Sequence, residues 1–224
     1  MLLAIDTATR MAGLALYDEA QGWVLGEELW HSANNHTVEL MPRLVRMLAL
    51  QGLDPGDLTG LVVSLGPGSF TGLRIGLSLA KGLALARHLP LVGIPSLDIV
   101  AEPHKPQSLP IWAVLRAGRG RICAGNYARY RGRWRRRGPM QLTTWDELLE
   151  QVLEPALFCG EIDDREAGAI RRHLGDAALV VSPAATARRA GYLAELGWQR
   201  LARDDADDAE TLAPIYLPQP QIDA

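Results

Sequence analysis

The string Gly66–Gly76, GPGSFTGLRIG, constrains this chain more than any other feature. It follows the apolar run Gly60–Leu65 and opens an apolar stretch that reaches Arg87, so it reads as a buried strand, a glycine-rich turn and a helix N-terminus. In that helix, about Phe70–Arg87, small residues stand at Gly72, Gly76, Ala80 and Ala84, four apart and so on one face. Glycine inside a helix costs about 1 kcal/mol relative to alanine, so two on one stripe mean close packing against the backbone. Leu73, Ile75, Leu77, Leu79, Leu83 and Leu85 fill other faces, and a helix apolar nearly all round is buried on more than one side. Two readings stand: a central core helix, or a helix held between its own sheet and a partner. The motif loop Gly66, Pro67, Gly68, Ser69, Phe70 and Thr71 offers free amides and a helix dipole to an anion. It lacks the Gly-Lys-Ser/Thr of a P-loop, and Ser69 or Thr71 can equally cap the helix.

Upstream, the apolar runs Leu2–Ile5 and Ala12–Tyr17 flank the polar turn Thr7-Ala8-Thr9-Arg10 and predict a hairpin, and Trp23–Trp30 adds a third strand. From Thr37 to Gln51 the residues Leu40, Met41, Leu44, Val45, Met47 and Leu48 recur at spacings of three and four, which predicts a helix with Pro42 in its first turn. With the strand at Leu91–Ile94 the first half is βββαβα followed by a strand. Pro103, Pro106 and Pro110 mark a linker. Two lobes follow, 1–102 and 103–224, with the C-terminal tail packing back on the first. The second lobe reads as strands 111–115, 121–130, 156–159 and 178–181 with helices 145–152, 165–174 and 184–196.

With 48% hydrophobic residues the chain of 224 has ample material for a core. Its net charge of -3 gives no global attraction to nucleic acid, so any such contact must be local. One local candidate exists. Arg116, Arg119, Arg121, Arg129, Arg131, Arg133, Arg135, Arg136 and Arg137 crowd one segment with Tyr127, Tyr130 and Trp134, and no acid lies between Glu102 and Asp146. Such a segment binds RNA through phosphates and stacking, with Arg119, Arg129, Arg133, Arg135, Arg136 and Arg137 as the contacts; the other reading is a solvated hairpin tip. The acidic run Asp204–Glu210 either balances the arginines or forms a loop.

Cys123 and Cys159 are isolated, which excludes a disulfide framework and a CxxC pair. The five histidines show no zinc spacing, and nothing supports a peptidase. The N-terminus has no basic lead before an apolar run, and the stretch Gly72–Ala86 is short and carries Arg74 and Lys81. A cytoplasmic protein without signal peptide or membrane span is expected. Asp6, Thr7 and Thr9 form a turn directly after the first strand; it is either an Asx-type turn or a vestigial phosphate loop with alanine where glycine would let amides approach an anion.

Taken together, AIDTATR, the segment His36–Pro42, SLGPGSFTGLRIGLSLAKGLA from Ser64, VGIPSLD from Val92 and LAPIYL near the end resemble the TsaB (YeaZ) family, strongly over the first hundred residues and patchily afterwards. The resemblance implies an α/β, two-lobed actin-like ATPase (ribonuclease H-like) fold and a part in threonylcarbamoyladenosine formation beside the anticodon of tRNA. It further implies a non-catalytic subunit that pairs with the catalytic paralogue TsaD and is joined by the ATPase TsaE. No cofactor of its own is implied, ATP and metal belonging to those partners, and a homodimer is an option for the free chain. In the family the N-terminal helices form a helical bundle with the partner. That maps here onto Leu40, Met41, Leu44, Val45, Leu48, Gly72, Leu73, Gly76, Leu77 and Ala80. One departure is clear: where relatives carry acids in an Asp-Ala-Arg and Glu-Val-Tyr pattern, this chain has Arg116 and Arg121. An ATP-using, kinase-like enzyme of the same superfamily and an RNA-binding module acting alone are the alternatives. The first is disfavoured by length and by the lack of an adenosine loop; the second rests on the arginines.

Overall fold

The computed structural model describes residues 1–33 and 35–218. Strand β1 (Leu2–Asp6) is buried at every position, and its alternation explains why. Leu3 and Ile5 point into one apolar cluster and Leu2 and Ala4 into another, so the strand has a core on each face. β2 (Met11–Asp18) and β3 (Trp23–His31) continue from it as an antiparallel meander. Helix α1 (His36–Leu50) follows, then β4 (Gly60–Gly66), α2 (Phe70–Arg87) and β5 (Leu91–Pro95). β4 and β5 lie parallel to β1, giving the sheet order β3-β2-β1-β4-β5.

Pro42 falls inside α1 rather than in its first turn, because the helix begins at His36. The carbonyl that loses its donor belongs to Val38, which faces solvent and can be hydrated. A short helix, α3 (Ser96–Ala101), carries the chain out of this first unit; it was not legible as a helix in the sequence.

The second unit is built on β6 (Ile111–Gly118), β7 (Arg121–Tyr130), β8 (Arg133–Arg136), β9 (Gln141–Thr143), α4 (Trp145–Glu150), β10 (Ala156–Gly160), α5 (Asp164–Leu174) and β11 (Ala178–Val180). Its sheet runs β11-β10-β6-β7-β8, with β9 also paired to β7. Trp112, Val114, Ile122, Ala124 and Phe158 pack there with Leu148, Leu149 and Ile170.

The last helix, α6 (Ala190–Leu201), belongs to the first unit, which comprises Met1–Ile99 and Arg188–Ile215. The sequence reading placed this helix at 184–196 in the second lobe. Instead, Pro183–Thr186 forms a separate 3-10 turn, and Ala190, Leu193 and Ala194 cover the Leu2, Ala4, Val62 face of the first sheet. The second helical layer of a two-faced sheet is thus supplied from the far end of the chain.

Candidate functional site

The quoted motifs meet at one place. Three glycines of the Gly66–Gly76 string lie against the β1–β2 turn: a Cβ on Gly68 would stand 2.2 Å from the Ala8 carbonyl oxygen, one on Gly72 2.2 Å from the Thr7 carbonyl oxygen, and one on Gly76 2.2 Å from Thr7 Oγ1. Thr7 Oγ1 donates to the Gly72 carbonyl at 2.7 Å, and the Ser69 amide donates to the Ala8 carbonyl at 2.6 Å. Ser69 caps α2 by accepting from the Gly72 amide at 3.2 Å. Ser96, from the VGIPSLD segment, accepts from the Gly66 amide at 3.1 Å, and the Ile215 amide, from the LAPIYL segment, donates to the Leu65 carbonyl at 2.8 Å. The close approach foreseen for the glycine stripe is therefore to the chain's own first turn.

Alternation along β1 decides the rest. Thr7 continues the odd row toward α2, while Asp6 continues the even row toward α6, where Arg188 stands just before the helix. Asp6 is 1% exposed and Arg188 6%. Their ion pair is bidentate: Arg188 Nε donates to Asp6 Oδ2, and one terminal nitrogen donates to Asp6 Oδ1 at 3.2 Å. The same guanidinium donates to Thr9 Oγ1 at 3.2 Å and to the Met11 carbonyl at 3.1 Å. Asp6 Oδ1 also accepts from the Ala8 amide at 3.0 Å, closing an Asx turn. Of the two readings of Asp6, Thr7 and Thr9, the Asx turn is the one observed, and its carboxylate is already neutralised by Arg188. Arg188 carries no signal in the sequence; it is one arginine among many, and only the fold brings it to Asp6.

The candidate interface residues divide in two. Leu40, Leu44, Leu48, Gly72, Leu73, Gly76, Leu77 and Ala80 are buried within the first unit, and the stripe spacing marks the inward face of each helix; of these only Leu40 also lines the groove between the helices. Met41 and Val45 are exposed, the latter 55%. With Phe70, 54% exposed, and Val38 they line the outer faces of α1 and α2. Between the two helices runs an open groove of about 490 Å³ lined by His36, Leu40, Met41, Phe70, Ile75 and Leu79 among others. His36 is buried in it with Nδ1 unpartnered, and burial pushes its pKa below the ordinary histidine value despite the nearby Glu39 and Asp6 carboxylates. The Arg74 guanidinium stacks 3.8 Å from the Phe70 ring centroid at the groove's edge.

In the second unit the arginines are not equivalent. Arg116 bonds Glu166 at 2.8 Å and Asp163 at 2.6 Å, and this pairing holds it firmly protonated, so it is engaged by acids of its own unit. Arg137 pairs with Glu154, and Arg136 Nε donates to the Gly138 carbonyl at 3.3 Å. Arg119, Arg129, Arg133 and Arg135 have no ion-pair partner among the described residues. The acids Asp205 and Asp207 do not serve them: both clamp Arg200 in the first unit, at 2.8 and 2.9 Å. Among the described residues no group of three or more histidines, cysteines or acids could hold a metal ion, and no helix is long and apolar enough to cross a membrane.

Comparison with known proteins agrees with this architecture. The chain is 33% identical over 219 residues to the tRNA threonylcarbamoyladenosine biosynthesis protein TsaB of Bacillus subtilis, covering 96% of this chain and 93% of that one. The chain belongs to the TsaB family. The Escherichia coli TsaB is 32% identical over 130 residues, which are 57% of this chain and 55% of its own. Residues 30–153 also match the family model described as TsaD, tRNA N6-adenosine threonylcarbamoyltransferase, a span that leaves out both Asp6 and Arg188. Among solved structures, YeaZ from Pseudomonas aeruginosa superposes with a TM-score of 0.78 at 24% identity, over 96% of this chain and 99% of that one. The activator of 2-hydroxyisocaproyl-CoA dehydratase from Clostridium difficile, bound to ADPNP, reaches 0.55 at 11% identity, over 91% and 97%. The fold is thus the actin-like α/β fold shared by TsaB proteins, and membership places the chain in threonylcarbamoyladenosine biosynthesis on tRNA.

Proposed function

We propose that this TsaB protein is the non-catalytic subunit of the cytoplasmic threonylcarbamoyl-transfer machinery, binding TsaD through the outer faces of α1 and α2, with TsaE joining the pair. The observation that carries the proposal is the apolar groove between those helices, flanked by exposed Val38, Met41, Val45 and Phe70. Exposed side chains of this size on two adjacent helices leave apolar area that a second pair of helices can cover. ATP and metal belong to the partner subunits in this reading, and the neutralised Asp6 supports it: a buried carboxylate already held by a guanidinium offers neither a cation site nor a hydroxyl-activating base.

The test is size-exclusion chromatography with light scattering on the chain alone and mixed with TsaD of the same organism. Met41→Glu combined with Val45→Glu is the informative variant, because both positions are exposed in the free chain and tolerate charge there. Gly76→Leu is unsuitable, since its side chain would strike Thr7 and unfold the first unit. A heterodimer formed by the wild type and lost in a normally melting double variant supports the proposal. Failure of the wild type to bind TsaD in any nucleotide condition overturns it, and tight ATP binding by the chain alone would favour the kinase-like reading.

A further inference from the structure

The β7–β8 hairpin is the strongest charged feature outside the α1–α2 groove. It turns at Arg131 and Gly132, both with positive φ, 50° and 81°, the geometry of a two-residue turn that matches strand twist. The register then sorts the side chains. Tyr130 faces Arg133 and Ala128 faces Arg135 across the ladder, so Tyr130, Arg133 and Arg135 share one face. Arg129 faces Trp134 and Tyr127 faces Arg136, which puts Arg129, Trp134 and Arg136 on the other. β8 is an edge strand, and edge arginines discourage sheet-to-sheet aggregation. Edge protection needs one or two charges and no exposed ring. Here Tyr130 is 58% exposed, the Arg131 guanidinium lies 5.4 Å from its centroid, and Arg129, Arg133 and Arg135 lack acidic partners among the described residues.

We propose that this hairpin is an RNA-binding element: Arg133 and Arg135 hold phosphodiester oxygens, and Tyr130, on the same face, stacks on one unpaired base. Guanidinium is the side chain suited to this task because its planar fork meets phosphate oxygens with paired donors and stacks on rings. An aromatic among unpaired cations is the arrangement that single-stranded nucleic acid favours, whereas an acidic protein surface gains nothing from the ring. The proposal deepens the tRNA-modification reading, since it makes this subunit a direct contact for the tRNA and not only a partner for TsaD.

The experiment is fluorescence anisotropy with the full chain and a labelled, unmodified tRNA transcript decoding an ANN codon, between about 50 and 200 mM salt. Replacing Arg133 and Arg135 together by glutamine is expected to weaken binding about tenfold at the lower salt and to flatten the slope of log K against log salt by about 1.4. Tyr130→Ala is expected to weaken binding about tenfold with the slope unchanged. The corresponding double lysine variant controls for folding and keeps the wild-type slope. Wild-type affinity and slope in the glutamine variant, or no RNA binding by the wild type, overturn the proposal. So does an equal loss measured with polyglutamate as the probe, which would make the hairpin a docking surface for acidic proteins. The TsaD mixture run on the same glutamine variant separates the two proposals. A lost heterodimer in wild type and variant alike with an intact RNA effect removes only the assembly reading, and an intact heterodimer with unaltered RNA binding removes only this one.

Discussion

Arg188→Met removes the guanidinium from beside Asp6 while keeping an unbranched apolar side chain in its place. The carboxylate left behind is 1% exposed and retains only the Ala8 amide as a donor. Breaking a buried pair in this way costs about 3–5 kcal/mol, most of it the penalty of an uncompensated charge. The lost donors to Thr9 Oγ1 and the Met11 carbonyl belong to the same network, so their contribution does not add in full. For a protein of ordinary stability, about 5–15 kcal/mol, that is a large fraction, readable as a lower midpoint in urea at unchanged m-value. Asp6→Asn in the Arg188→Met background removes the charge and should recover much of the loss at neutral pH. A midpoint for Arg188→Met within about 1 kcal/mol of wild type, or a double variant no better than the single, would refute the view that this pair is buried and coupled.

Packing and burial set three further outcomes. Gly72→Val drives a Cβ to 2.2 Å from the Thr7 carbonyl oxygen, so thermal melting should show a loss of about 3 kcal/mol or more, whereas Gly82→Ala, whose Cβ meets nothing within 4 Å, should be neutral or stabilising. Burial lowers the folded pKa of His36 from its ordinary 6.5, so its contribution to stability is complete above that value and is lost as pH falls through the folded pKa; urea midpoints of His36→Gln should decline less than wild type across that window. Burial pushes the Cys123 thiol up to about 11 and the Cys159 thiol higher still, so neither should react with a thiol reagent at pH about 8 until the protein is unfolded in denaturant.

Local pattern carried most of the first unit. β1 through β5 and both long helices announce themselves by apolar runs and three-four spacing, because each is long, periodic and bounded by polar turns. The short elements did so unevenly: α4 and β11 were legible, whereas α3 and β9 were not, and β8 is a run of arginines around one tryptophan whose strand character comes only from pairing with β7. α6 was displaced by six residues because Ala184–Leu196 looks helical in composition, while Pro183 and the break after Thr186 confine its first part to a single 3-10 turn.

The site was harder to read for a reason that alternation makes plain. A stripe of small residues reports close packing but not the identity of what packs, and in α2 the neighbour is Thr7 of the same chain. Phe70, Ile75 and Leu79, which the stripe excludes, line the groove toward α1 instead. The same logic separates Asp6 from Thr7. Adjacent residues at the end of one strand point to opposite faces, so one hydroxyl anchors α2 while one carboxylate takes up Arg188 from a segment 182 residues away. No local window contains that pairing. An acid at the end of a first strand is therefore compatible with either a phosphate loop or a structural clasp until the far end of the chain is placed, and here the returning segment before α6 supplies the cation.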